Sequence, residues 1–135
     1  MNMTDDEFMA SFEAGTLAGE CFRHRDHCRM AFLYLSQYPA WEAIQRFSTS
    51  LARFAAAKGK PGLYNETVTW AFLLLIRERM ARAGPPQTWD EFAEKNADLM
   101  SWQDNILRKY YRDETLASEL AKTTFLFPDK LSPNR

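Results

Sequence analysis

The sequence predicts an all-α, single-domain bundle of five to seven helices with a central apolar helix, and three observations predict it. Apolar residues return every three or four positions through most of the chain, the spacing of one face of an α-helix. Hydroxyl and acidic starts alternate with glycine and proline stops, so each periodic stretch is bounded. No run alternates with period two beside a hairpin turn, and no repeat of roughly 20 to 50 residues occurs.

Thr4 ahead of Asp5, Asp6 and Glu7 starts the first helix, because a hydroxyl caps free amides and acids suit the positive end of the helix dipole. Phe8, Met9 and Phe12 form its apolar stripe, Gly15 stops it, and Gly15 to Glu20 is a connector. A second helix is expected from about Arg23 to Tyr38, with His27, Cys28, Ala31, Tyr34, Leu35 and Tyr38 on one face and Pro39 at its end. The third covers about Ala40 to Lys58 and carries Trp41, Ile44, Phe47, Leu51 and Phe54, ahead of Gly59 and Pro61. The fourth runs from Tyr64 or Asn65 to Ala83; it is apolar nearly all round in its middle, as the central helix of a bundle is.

Thr88-Trp89-Asp90-Glu91 is a capping box opening a fifth helix. A sixth helical stretch is expected over Trp102 to Tyr111 and a short one over Glu114 to Lys122. Thr123 to Phe127 lacks a partner strand and reads as an extended segment packed on the bundle. The domain is therefore 1–127, with 128–135 a flexible tail.

The 135 residues suffice for one core, and ten Phe, five Tyr and four Trp supply it. A formal charge of −1 argues against nucleic acid, whose phosphates require clustered Lys and Arg. The longest apolar run, Val68 to Ile76 interrupted only by Thr69, is far short of the roughly 20 residues that span a bilayer, so no membrane partner is expected. The acidic start carries no secretory pattern, which makes the cytoplasm the expected compartment, and Cys21 and Cys28 are expected as free thiols.

His24 and His27, the only two histidines, lie three apart on one helix, where side chains meet. They can hold one metal or one ligand, or serve as structural hydrogen-bonding groups. Glu66, in the first turn of the fourth helix beside Tyr64 and Asn65, is the natural third ligand for a divalent transition metal of the zinc or iron kind. Without metal, Glu66 and a histidine can do acid–base work, whereas the structural alternative leaves Glu66 serving only the helix dipole. Cys28 adjoins His27 but points about 100° away, and Arg23, Arg25 and Arg29 offer an anion clamp. HExxH, paired Glu-x-x-His, phosphate-loop, dinucleotide and serine-elbow motifs are all absent.

The stretches Phe12-Glu13-Ala14-Gly15-Thr16-Leu17, His24-Arg25-Asp26-His27 and Tyr64-Asn65-Glu66-Thr67, followed by Lys109-Tyr110-Tyr111-Arg112, come in an order that carries a resemblance. Together they resemble a family of small all-helical bacterial proteins of unassigned function, marked by F-x-x-x-T-L, H-x-x-H-L and Y-H-E-T stretches. The resemblance implies that the two helix starts meet in one site containing His24, His27, Tyr64 and Glu66. Asn65 stands where the pattern has histidine and Cys28 where it has leucine; an amide is a poor ligand for a transition metal.

The first functional expectation is a small-molecule-binding protein or enzyme with its pocket between the second and fourth helices. His24, His27 and Glu66 would be the catalytic or metal-binding groups, and Tyr64, Asn65, Cys28 and Arg29 would contact ligand. The second is a non-catalytic interaction or oligomerisation module, for instance a homodimer, using apolar surface around Trp41, Trp89 or Trp102.

Overall fold

The computed structural model describes residues 3–84 and 86–130. Among these residues seven α-helices follow one another: α1 (Asp5–Ala14), α2 (His24–Gln37), α3 (Ala40–Ala57), α4 (Glu66–Ala83), α5 (Trp89–Lys95), α6 (Asp113–Leu116) and α7 (Glu119–Thr123). Short 3-10 turns at Gly19–Cys21, Pro61–Leu63, Ala97–Leu99 and Ile106–Lys109 link them, and there is no strand among the described residues. None of these helices is long and apolar enough to cross a membrane.

Local chemistry sets the helix ends. Thr4 Oγ1 accepts from the Glu7 amide while Glu7 accepts from the Thr4 amide, and Thr88 and Glu91 repeat this reciprocal cap at α5. Gly15 ends α1 at φ 75°, a left-handed turn that lets its amide and that of Thr16 return to the Phe12 and Ser11 carbonyls.

Packing then assembles the bundle. α2 lies against α1, α3, α4 and α5, and six consecutive residues, Met30 to Leu35, are buried. α4 packs on α2, α3 and α7, although Leu74 in its apolar run reaches solvent. The N-terminal core is aromatic: the Phe12 ring lies 5.0 Å from Phe22, 5.6 Å from Phe47, 5.9 Å from Phe54 and 6.2 Å from Tyr34.

The last third departs from the expected helices. Trp102 to Tyr111 forms only the 3-10 turn at Ile106–Lys109, because Asn105 folds its side chain onto the Leu107 amide and the Trp102 carbonyl. The stretch expected as one helix over Glu114 to Lys122 is two, since Ser118 caps a new start by accepting from the Ala121 amide. Of the stretch expected to run extended, Thr123 instead ends α7; residues 124–127 form no helix and pack on the bundle, with Phe125 stacked on Trp70 at 5.7 Å and the Leu126 carbonyl accepting from Tyr111 at 2.6 Å. The expected flexible tail is held at its start: the Asp129 and Lys130 amides donate to the Tyr110 carbonyl, and Asp129 accepts from the Arg112 amide and the Thr115 hydroxyl. Its remainder, 131–135, lies outside the described residues.

Thr67 ties this C-terminal segment to α4. Its fully buried hydroxyl faces the Ala121 and Thr124 carbonyls at 2.9 and 2.8 Å and accepts from the Leu126 amide at 3.2 Å. Thr67→Val keeps the shape and strands those backbone groups, at an expected cost of about 2–3 kcal/mol. Urea unfolding measures it, and amide exchange should quicken at residues 121–127; unchanged exchange there would contradict the role.

Candidate functional site

The histidines open α2 as expected, yet they do not face a shared ligand. His24 Nε2 lies 2.9 Å from the Leu99 carbonyl and His27 Nε2 lies 3.1 Å from the Phe22 carbonyl. A carbonyl only accepts, so each Nε2 carries its proton and is spent on the backbone. Burial lowers both pKa values; His27, packed on the Phe22 ring at 4.0 Å and close to His24, falls to about 4 despite the Phe22 carbonyl. Both rings are neutral at pH 7 and pin the first turn of α2 to the segments on either side.

The expected metal set of His24, His27 and Glu66 is not assembled. His24 packs against Phe72 and Trp102, with centroids at 4.9 and 5.3 Å. Glu66 precedes Phe72 by six residues, about 9 Å along α4 and about 120° around it. Among the described residues, no three His, Cys, Asp or Glu side chains group as metal ligands.

The other expected contacts are structural too. Cys28 is buried, its thiol donates to the Leu99 carbonyl at 3.6 Å, and burial pushes its pKa up to about 12, which removes thiolate chemistry. Arg29 pairs with Asp5 at 2.7 Å over the Phe8 ring, and Arg25 lies over Trp89, so the arginines form no common anion clamp. Asn65 caps α4 through the Val68 amide and donates to the Leu116 carbonyl at 2.8 Å.

Tyr64 and Glu66 do meet. The Tyr64 hydroxyl donates to Glu66 Oε1. Burial first, then that bond, raises the tyrosine pKa, and the nearby Ser48 and Thr69 hydroxyls pull the other way without reversing it. The phenol is therefore a donor at neutral pH, not a base.

This pair lines a groove of about 480 Å³ between α3 and α4, rather than between the second and fourth helices as expected. Trp41, Ile44, Gln45, Ser48, Thr49 and Ala52 come from α3, and Glu66 and Trp70 from successive turns of α4; neither histidine takes part. Ser48 Oγ and Trp70 Nε1 are buried there with no hydrogen-bond partner of good geometry among the described residues. A third such atom, Gln87 Oε1, lies in the connector before α5.

A neighbouring cavity of about 650 Å³ shares Trp41, Gln45 and Thr49 with the groove. Three of its four charged residues are engaged internally, since Tyr34 donates to Glu13 at 2.5 Å and Arg46 pairs with Glu42 at 2.7 Å over the Tyr38 ring, whereas Arg53 makes no ion pair among the described residues.

Sequence reasoning found Tyr64 and Glu66 but missed Ser48 and Trp70. The available signal was weak: Trp41, Gln45, Ser48 and Ala52 recur at helical spacing beside the core stripe of α3. Of the tryptophans expected as apolar contacts, Trp41 and Trp102 are 71% and 54% exposed, whereas Trp89 stacks on Phe92 and packs against Phe32. Comparison with protein-family models, with curated proteins and with solved structures finds no match for this chain.

Proposed function

We propose that this protein binds a small organic molecule in the groove between α3 and α4. One observation carries the reading: Trp70 Nε1 is buried in the groove with no hydrogen-bond partner among the described residues, and Ser48 Oγ, buried in the same groove, has only the nearby Tyr64 hydroxyl, without a well-formed bond to it. More than about 90% of buried polar groups in folded proteins are hydrogen-bonded, and each one left unpaired costs about 1–3 kcal/mol. A ligand offering an acceptor to the Trp70 N–H and a partner to the Ser48 hydroxyl removes that cost on binding. Exposed Trp41 supplies an aromatic wall and the Tyr64–Glu66 pair a polar end. The histidines that the family resemblance points to serve the scaffold in this reading.

Ser48→Ala separates a binding group from a structural one. It removes an unsatisfied buried hydroxyl, so the ligand-free variant should gain about 1 kcal/mol. The Trp70 indole N–H resonance, assigned with Trp70→Phe, reports occupancy during a titration screen of amines, carboxylates, sugars and nucleosides. At least one class should shift it, and Ser48→Ala should weaken that response. A destabilised Ser48→Ala, or an indole resonance unmoved by every class, would overturn the reading.

A further inference from the structure

We infer that the occupant of the α3–α4 groove is an organic ammonium compound that also carries an oxygen acceptor, the amino-alcohol class. This inference rests on the binding reading above and adds the ligand's charge.

Among the described residues, Glu66 is the single charged one lining the groove. It takes part in no ion pair among the described residues. Its Oε1 accepts from Tyr64, a donor that orients the carboxylate without cancelling its charge. The nearest guanidinium groups on α3, Arg46 and Arg53, line the neighbouring cavity instead, and Arg46 is held by Glu42 and Tyr38.

A neutral ligand over this carboxylate would strip its water and offer no counter-charge, and an anion would be repelled; a cation offsets the desolvation. Trp41, Tyr64 and Trp70 add aromatic walls, and such walls attract ammonium groups through the ring quadrupole. The acceptor requirement comes from Trp70: its buried Nε1–H only donates, so an all-carbon amine would leave it unsatisfied. Ser48 Oγ, in a residue only 9% exposed, can meet the same oxygen from the α3 side.

The test uses choline and its neutral carbon analogue, in which a tert-butyl group replaces the trimethylammonium, with glucose as a neutral polyol. Each is titrated into the full chain while the Trp70 indole N–H is followed and affinity is measured calorimetrically. Choline should bind at least about tenfold more tightly than the analogue, the ratio produced by ~1.4 kcal/mol. Glu66→Gln should bring the two level, and Trp41→Ala, at an exposed position, should weaken choline without unfolding the protein. If the analogue or glucose binds as well as choline, the charge inference fails while the groove stands. If none of the three moves the Trp70 resonance, the inference fails, and the fate of the groove rests on the remaining classes of the broader screen.

Discussion

Phe12→Ala is expected to lower the unfolding free energy by about 3–5 kcal/mol, the cost of emptying a fully packed aromatic site. Phe12 has no exposed surface and touches rings from the connector after α1, from α2 and from both halves of α3, so its loss opens the junction of three helices at once. Those rings are each packed against other neighbours and have little room to collapse inward, which places the cost toward the upper end. Against a typical domain stability of about 5–15 kcal/mol, the variant should be marginal at 37 °C. Phe127→Ala is the control: that ring is 83% exposed and should cost under about 0.5 kcal/mol. Urea titration of both variants decides, and a loss below about 1 kcal/mol for Phe12→Ala would refute this account of the core.

Acid should destabilise the protein through His27, starting as pH falls below 6.5. Burial and the neighbouring His24 lower the His27 pKa from 6.5 to about 4, and the Phe22 carbonyl only partly opposes them. The unfolded state then binds a proton that the folded state resists. The stabilising contribution is complete above pH 6.5, declines as pH falls through the interval down to about 4, and is gone below it. A shift of this size amounts to ~3 kcal/mol. His24 is shifted in the same direction by burial and adds to the effect. Asp98, held below the usual carboxylate range by Arg79, follows at lower pH. His27→Gln keeps a donor for the Phe22 carbonyl and cannot titrate, so its stability should fall less between pH 7 and pH 4.5 than that of the parent protein. Parallel pH profiles for the two would rule His27 out.

The helices were legible where their chemistry is local. Thr4 with Glu7 and Thr88 with Glu91 cap their own neighbours, and Gly15 turns the chain with bonds reaching only three to five residues back, so short stretches of sequence contain the whole interaction. The same locality misled over Trp102 to Tyr111. Asn105 there hydrogen-bonds to adjacent backbone and converts a helical pattern into a 3-10 turn. The pairing of Tyr64 with Glu66, two residues apart, was also within reach of the sequence.

The histidines show the limit. Their spacing places two imidazoles on one helix face, and spacing alone cannot say what lies opposite. The tertiary structure sets the Leu99 carbonyl, 75 residues away, against His24, and turns His27 onto Phe22. Ser48 and Trp70 were invisible as site residues for the same reason: each sits on a helix face whose partner is another helix.

By itself, then, the sequence determined an all-α fold, most helix starts and stops, and the two polar clusters at the beginnings of α2 and α4. Only the tertiary structure decided that one cluster braces the scaffold and the other lines a groove. Caps and periodicity act within a turn or two of helix, whereas burial and orphaned hydrogen-bonding groups are created when α3 closes against α4.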